Sequence, residues 1–394
     1  MFANLWRKIR GSRTLAASKR LPESRKSRRL FFEPLENRNL LATIVVTGTG
    51  DTIDAADGLV TLREAITAAN TNAASGDAPA GDAGLDTINF NIAGSGVHTI
   101  SPATALPPIS DPVFINGYSQ PGSSKNTNAI DDPDPTKRGF NGTLQIEIDG
   151  TATGASGLVI SAGNSTVRGL VINRFQGAGI HLSSNGNVVA GNFIGTSATG
   201  DADLGNGAIG VDIIDAFNNT IVDASNNTIG GMLPADRNLI SGNNSAGVRI
   251  IAFGSADQSN ITGNQVLGNL IGTDKAGTAA ISNNVGVLLE SVFGGHVTGN
   301  LIGGTTAAAR NVISGNESAN VNFGADFPTL LQPAGNRVQG NFVGTDVTGT
   351  VGFAVGFPDG IRLEAGTANN LIGGDDAADG TVRSRQGRGL KEMS

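Results

Sequence analysis

Short alternations of apolar and polar residues recur along the chain, and each follows or begins with a glycine or an asparagine. They read GIHL at 179–182, GVDI at 210–213, GVRI at 247–250, GVLL at 286–289, NVNF at 320–323 and GIRL at 360–363. A period of two predicts a β-strand in which every second side chain points into a core. Two further segments, NVVAGNFIG at 187–195 and RNLISGN at 237–243, carry apolar runs too short for a helix. The pattern therefore predicts many short strands separated by turns.

These strands belong to two alternating units that repeat along the chain. GNFIGT, GNLIGT and GNFVGT begin at residues 191, 268 and 340, and IGG begins at 229, 302 and 372. A structural unit recurs whereas a catalytic loop usually occurs once, so the glycine-rich stretch that begins at 268 is interpreted as scaffold. Stacked coils of a solenoid allow each short strand to pair with its equivalent one coil away. We expect a parallel β-helix with three narrow faces, with Ile271, Val287 and Leu289 inside and asparagines hydrogen-bonded along the bends.

The first coil of such a stack needs a cap, because it would otherwise expose unpaired strand edges and an open core. Residues 43–122 are predicted to supply this cap and the first coils. The cap includes a short amphipathic helix that buries Leu62, Ala65, Ile66 and Ala69, with a capping box formed by Thr61 and the residue three positions later. Residues 123–141 are predicted to be a loop excursion and 142–374 the repeats. Residues 375–394 no longer match, so either the reading frame is truncated or shifted, or a basic tail covers the last coil.

Composition narrows the possible chemistry. The chain has 57 glycines, one tryptophan, one tyrosine and 39% hydrophobic residues, which suits a narrow aliphatic core. It has no cysteine, which excludes disulfides, thiolate metal sites and a cysteine nucleophile. The net charge is −7 although residues 1–42 are strongly basic, so the body is acidic and a nucleic-acid partner is not expected. The basic segment 1–42 is interpreted as an export leader or a disordered arm, and no apolar stretch is long enough for a transmembrane helix.

Two segments resemble elements of exported bacterial repeat proteins. LFFEPLENRNLLA at 30–42 resembles the LEPR-XLL motif, and the residues that match are Leu35, Glu36, Arg38, Leu40 and Leu41. VTLREAITAAN at 60–70 resembles the CSLREA domain, although Val60 and Thr61 replace the Cys and Ser of its name. The resemblance implies a right-handed, pectin-lyase-like parallel β-helix and a protein that is exported to the cell surface or beyond.

The best candidate catalytic group lies on the outward row of the aligned strands. That row reads His181, Asp212, Arg249, Leu288, Asn322 and Arg362. His181, Asp212 and Arg249 fall on neighbouring coils, and an acid, a base and a cation together could support lyase or hydrolase chemistry on an acidic glycan. The next outward row supplies no expected second carboxylate beside Asp212, which a glycosidase normally needs. The alternative interpretation is a solvent-facing ladder of mixed charges.

Calcium is the only inorganic cofactor that the sequence suggests. The turns GTDKAG and GTDVTG place Asp274 and Asp346 at equivalent positions, and carboxylates with backbone carbonyls suit a hard cation. Ser197 occupies this position in the first copy, so an aspartate that stabilises its own turn is the alternative. The segment GGDDAADG at 373–380 resembles a paired-aspartate motif of some pectin-degrading hydrolases, but it aligns with turns of the other repeats.

Two functional hypotheses follow. The first is a non-enzymatic secreted or cell-surface protein that uses its long faces for adhesion, matrix or polysaccharide contact. The second is a polysaccharide lyase or hydrolase that acts through His181, Asp212 and Arg249. An enzyme should have a concave groove around those three residues, whereas an adhesin should have a regular face there. Extracellular polysaccharide or another envelope component is the expected partner in either case.

Overall fold

A computed structural model of the protein describes residues 42–217, 220–221, 223–254, 260–325, 332–353, 358–374 and 390–392. The chain divides into two compact units, residues 1–39 and 40–394, and every described residue belongs to the second. Apart from Ala42, the predicted leader lies outside the described residues, as does most of the predicted tail. Among the described residues, no helix has both the length and the apolar content needed to cross a membrane.

The second unit is a right-handed parallel β-helix; the repeats predict the parallel β-helix, and the family resemblance implies its hand. Its strands form three long sheets, and from residue 113 onward the chain runs from sheet 1 to sheet 2 to sheet 3 in each coil. Sheet 1 contains Thr43–Val46, Asp86–Phe90, Val113–Asn116, Thr166–Arg168, Val188–Ala190, Thr228–Gly230, Gln265–Leu267, Leu301–Gly303, Arg337–Gln339 and Leu371–Ile372. Sheet 2 contains His98–Ile100, Ile146–Asp149, Leu170–Asn173, Phe193–Ile194, Leu239–Ile240, Leu270–Ile271, Val312–Ile313 and Phe342–Val343. Sheet 3 contains Leu158–Ile160, Ile180–Leu182, Ile209–Ile214, Ala246–Phe253, Val285–Val292, Ala319–Ala325, Asp359–Leu363 and Leu390–Glu392.

Parallel pairing places equivalent residues of successive coils side by side. In sheet 3, Val211 pairs with Val248, which pairs in turn with Val287 and then Val321. Inward side chains therefore stack on their own kind, and the resulting aliphatic core is continuous from the cap to the last coils. The predicted core residues Ile271, Val287 and Leu289 are fully buried, which confirms their assignment.

Asparagines form ladders at all three corners of the coil, as predicted. The corner before sheet 1 stacks Asn187, Asn227, Asn264, Asn300, Asn336 and Asn370, and each backbone N–H donates to the next Oδ1 at 2.8 to 3.0 Å. The corner between sheets 1 and 2 stacks Asn192, Asn238, Asn269, Asn311 and Asn341. The third corner stacks Asn206, Asn243, Asn283 and Asn316. A carboxamide can donate and accept at once, so each ladder satisfies backbone groups that the bends would leave unpaired.

The cap contains the helix Leu62–Thr71, and its N-terminus explains the LREA sequence. Thr61 and Glu64 form the predicted capping box, and Glu64 also accepts the backbone N–H of Asp54. Leu62 and Ala65 are fully buried against the first coils. Arg63 forms an ion pair with Asp51 at 2.9 Å and donates hydrogen bonds to two carbonyls of the loop at 104–105. The four residues thus fix the helix to its surroundings.

Shorter elements complete the coils. Asn260–Thr262 and His296–Thr298 form a fourth parallel sheet that Ala334 and Ala368 extend by single bridges. Ala216–Phe217 and Thr220–Ile221 form an antiparallel pair. Single 3₁₀ turns lie at Gly117–Ser119, Pro135–Lys137, Gly150–Ala152, Pro234–Asp236 and Ala307–Ala309.

Residues 123–141 lie against the outer side of sheet 2. Outward residues of that sheet pack there with Ile130 and Phe140 in a second apolar cluster, whose sheet members include Val171, Phe193, Leu239, Leu270 and Val312. The Phe140 and Phe193 rings meet edge to face with centroids 4.7 Å apart. The buried Arg237 donates from Nη1 to the carbonyls of Arg138 and Gly139 at 2.8 and 2.9 Å. The sequence predicts the excursion but not this contact with later coils.

Candidate functional site

The structure brings the three predicted residues of sheet 3 together. His181 pairs with Asp212 and Asp212 with Arg249 in the strand register. Nδ1 of His181 lies 3.5 Å from Oδ2 of Asp212. Arg249 donates from Nε to Oδ1 and from Nη2 to Oδ2 of the same carboxylate, at 2.9 and 3.0 Å. Asp212 is therefore held from both sides, by a bidentate guanidinium and by an imidazole.

Burial and charge oppose each other at Asp212. Its exposed fraction is 4%. Burial alone would raise its pKa, but the hydrogen bond with His181 and the charge of Arg249 outweigh that effect and hold the pKa below its ordinary value. Burial would lower the pKa of Arg249, and the Asp212 charge reverses this so that the pKa is raised. Asp212 is therefore an ionised carboxylate and Arg249 a charged guanidinium at neutral pH. Both oxygens of Asp212 already accept contacts, so a proton taken up by Asp212 would break one of them.

A second carboxylate lies on the other side of Arg249, at a contact that the sequence analysis did not predict. Oε2 of Glu290 is 3.8 Å from Nη1 of Arg249. Glu290 belongs to the next outward row of the following coil, where Ile251 pairs with it in the register. The sequence analysis expected no second carboxylate beside Asp212, and Glu290 contacts Arg249 instead, because the long arginine side chain bridges two rows. The sheet 3 network comprises His181, Asp212, Arg249 and Glu290.

The rest of the outward row is also paired locally. Nε of Arg362 lies 2.7 Å from Oδ2 of Asp359, and Arg362 also donates to the carbonyl of Ser318. Asn322 donates to Oε1 of Glu364 at 3.4 Å. Leu288 packs beside a small apolar cluster on the same face. These contacts fit the interpretation of the row as a ladder of mixed charges that pair with one another, although its members are buried or half-buried and not fully solvent-facing.

The two candidate calcium ligands stabilise their own turns. Oδ1 of Asp274 accepts the backbone N–H groups of Thr278 and Ala279 at 2.7 and 3.0 Å. Oδ1 of Asp346 accepts those of Thr348 and Val351 at 3.2 Å. Within the part of the chain that the structure describes, no three His, Cys, Asp or Glu residues cluster as metal ligands would. Calcium binding by Asp274 or Asp346 stays a prediction.

A concave groove lies on sheet 1, on a different face from the sheet 3 network. It encloses about 520 Å³, and its lining includes Gly263, Gln265, Leu301, Thr305, Arg337 and Gln339. This sheet 1 groove lies where the fourth short sheet bends into sheet 1. At the bend, Gly263, Gly299 and Gly335 adopt left-handed backbone conformations with φ of 71°, 65° and 68°. Because glycine has no Cβ, the bend is left open to solvent there, whereas Asn226 and Asn369 take the equivalent positions one coil before and one coil after.

The polar groups of the sheet 1 groove are largely unengaged. Gln265, Leu301 and Arg337 form one outward row across three neighbouring strands. Arg337 is exposed, and its guanidinium makes no hydrogen bond or ion pair with any described residue. Gln339 is only 5% exposed, and its carboxamide likewise has no hydrogen-bond partner among the described residues. Among the residues that the structure describes, no aspartate or glutamate lines the groove.

Sequence reasoning missed this groove for a physical reason. Its residues belong to the repeats of the segment NVVAGNFIG, for which the sequence predicts only short strands and turns. The ladder asparagines Asn264 and Asn300 line the groove. The same residues therefore hold the coils together and form part of the groove surface. Only the curvature at the glycine bends makes the surface concave, and that curvature is a property of the stacked coils.

Comparison with other proteins adds nothing to this geometry, since neither a protein-family model nor a curated protein matches the chain. The resemblances to the LEPR-XLL motif and the CSLREA domain therefore depend on the quoted residues alone. The fold, by contrast, follows from the parallel register of the three sheets.

Proposed function

We propose that this protein is a non-enzymatic β-helix protein that acts outside the cell and binds polysaccharide along sheet 1. The observation that carries the proposal is the sheet 1 groove, which contains side-chain amides, a guanidinium that no described residue engages, and no carboxylate among its described lining residues. The groove spans three successive strands, and two spacings of about 4.8 Å give it a length of about 10 Å. Its long direction follows the stack of coils, so an extended glycan can lie along it and contact equivalent positions in turn.

The sheet 3 network supports a non-catalytic role. A general base must be able to accept a proton at the operating pH, and the pKa of Asp212 is lowered while both of its oxygens are engaged. Mixed charges that pair with one another keep an exposed sheet face soluble without leaving a reactive group. The face around Asp212 fits a ladder better than an active site.

The second candidate function is a lyase or hydrolase that acts on an acidic glycan at sheet 3. Glu290 favours it, because Arg249 holds two carboxylates together with a neighbouring histidine. In this scheme Glu290, which is less buried than Asp212, would be the proton-transfer group, and Arg249 would neutralise the substrate. No contact of the described residues requires this chemistry.

Two measurements on the intact protein separate these functions. Incubation with a panel of acidic and neutral polysaccharides should release neither new reducing ends nor unsaturated uronides, while retention on immobilised polysaccharide should be measurable. If cleavage is detected and an Asp212→Ala or Glu290→Gln substitution abolishes it while the far-UV circular dichroism spectrum is kept, the enzymatic function replaces the proposed one.

Location outside the cell is part of the proposal and has its own test. Its support is the basic segment 1–42, which resembles export leaders of repetitive surface proteins. Fractionation of the producing cells should recover the protein from the medium or the cell surface. Recovery from the cytoplasm alone would contradict this part of the proposal and leave the binding function open.

A further inference from the structure

We infer that the sheet 1 groove selects glycans that carry carboxylates, and that Arg337 with Gln339 recognises the charged sugar. The inference rests on the proposed function, since it names the class of glycan that the groove binds. It depends on the hydrogen bonding of Arg337 and Gln339, on the position of Leu301 beside Arg337, and on the charges that line the groove.

The guanidinium of Arg337 is an exception among the described arginines. The others each donate a hydrogen bond or stack on an aromatic ring, and they are Arg63, Arg138, Arg168, Arg174, Arg237, Arg249, Arg310 and Arg362. Arg337 does neither with any described residue and is exposed. A planar guanidinium with free donors matches a carboxylate in bidentate fashion. The structure therefore keeps one such donor group available on the outer surface of sheet 1.

The amide of Gln339 is the second independent observation. Gln339 is 5% exposed and lines the groove two residues after Arg337 on the same strand. Its carboxamide has no hydrogen-bond partner among the described residues, and its oxygen and nitrogen still reach the surface of the groove. A hydroxyl or carboxylate of a ligand can therefore form hydrogen bonds with this amide.

Charge favours an anionic ligand at this place although the whole chain is acidic. The formal net charge is −7, which repels an anionic polymer at long range. At physiological salt that repulsion is screened beyond about 8 Å. Among the described residues that line the groove, Arg337 is the one cation and there is no carboxylate. A sugar bound in the groove therefore meets a positive charge at Arg337.

The row geometry gives the ligand a direction. Leu301 lies between Gln265 and Arg337 in the strand register, and the two ends are two strand spacings apart, about 10 Å. A carboxylate at Arg337 would place the next sugar ring over the apolar Leu301 side chain and its hydroxyls toward Gln265. The glycan chain would then run parallel to the stack of coils.

The test measures the affinity of the full chain for two ligands by isothermal titration calorimetry. One ligand is an oligogalacturonate, and the other is its methyl ester, which has the same backbone without the charges. The acid should bind more tightly than the ester. Arg337→Gln should weaken binding of the acid about tenfold and leave the ester unchanged, as expected for the loss of one charge-assisted contact. Lys137→Gln removes one positive charge from segment 123–141 and should change neither. Gln339→Met, similar in length, should weaken both ligands because it removes the amide.

The outcomes distinguish this inference from the proposed function. Equal binding of acid and ester by the wild-type protein, or an Arg337→Gln variant that binds the acid normally, overturns the inference and leaves polysaccharide binding intact. If neutral glycans bind and oligogalacturonate does not, the inference also fails alone. If no glycan of either kind binds, the proposed function fails and the inference fails with it.

Discussion

Two arginines on two faces of the same β-helix have opposite surroundings. On sheet 3, Arg249 donates two hydrogen bonds to the buried Asp212 and lies 3.8 Å from Glu290. On sheet 1, Arg337 is exposed beside the unpartnered amide of Gln339 and engages no described residue. Both residues occupy outward positions in rows of aligned strands, so the alternation pattern of the sequence does not show that their roles differ. Only the contacts of each guanidinium show that Arg249 is engaged within the fold and that Arg337 is available to a ligand.

This difference teaches that the types of residue in a cluster do not by themselves identify a site. The sheet 3 network contains an acid, a base and a cation, which is the composition of many active sites. Both oxygens of Asp212 are nevertheless engaged, and removal of either partner of such a pair leaves a buried charge uncompensated. The sheet 1 groove has less suggestive residues but keeps their hydrogen-bonding capacity for a ligand.

Removal of the Asp212 carboxylate should give the largest effect. Asp212→Ala leaves Arg249 without its bidentate partner in a mostly buried position, and loss of one member of such a pair typically costs about 3 to 4 kcal/mol. Urea denaturation followed by far-UV circular dichroism measures this, since the single tryptophan, Trp6, lies outside the described residues.

The double variant Asp212→Ala with Arg249→Met is the matched control. It removes both charges, so it should recover at least half of the lost free energy of unfolding. If the double variant is as unstable as the sum of the two single variants, Arg249 and Asp212 do not act as a pair. The contrast between the two arginines would then disappear.

The pH dependence should show a somewhat smaller effect, from a carboxyl at the end of the same strand. Burial raises the pKa of Asp215 to about 6, although its carboxylate accepts the backbone N–H of Phe253 at 2.7 Å. The native state thus binds this proton more tightly than the unfolded chain, and the contribution of Asp215 to stability increases as the pH falls from about 7 to about 4, by about 2 to 3 kcal/mol. Asp212 acts in the opposite sense, because its stabilising contribution is complete above its ordinary pKa and is lost as the pH falls through the lowered one.

Asp215→Asn isolates this contribution, because asparagine keeps the oxygen that accepts from Phe253 and cannot ionise. The free energy of unfolding of the variant relative to the wild type should be larger at pH 7 and nearly equal at pH 4. A difference that is constant between pH 4 and pH 7 would contradict the raised pKa of Asp215.

The sequence predicted the parts of the fold that repeat. Strand positions, the inward Ile271, Val287 and Leu289 and the asparagine ladders follow from alternation and periodicity, because stacked coils force equivalent residues together. The same reasoning placed His181, Asp212 and Arg249 side by side. It succeeded because strand register fixes backbone neighbours before any side chain is considered.

The remainder of the surface depends on contacts that periodicity does not encode. Glu290 reaches Arg249 across two rows because both side chains are long. The packing of residues 123–141 on sheet 2 joins Phe140 to Phe193, more than 50 positions apart in the chain. The groove beside Arg337 exists because glycine bends curve the backbone, and a repeat alignment does not show the direction of that curvature.

The smallest effect is expected at Arg337, and it tests the comparison most directly. Arg337→Gln should change the free energy of unfolding by less than about 0.5 kcal/mol, because an exposed side chain without partners loses nothing in the folded state. The same substitution at Arg249 leaves the carboxylate of Asp212 buried and without its guanidinium partner, so it should cost at least about 2 kcal/mol. Both variants remove one positive charge from an outward row, which controls for net charge. If the two substitutions destabilise the protein equally, Arg337 has a structural partner in the native state, and the groove cannot keep its guanidinium for a ligand.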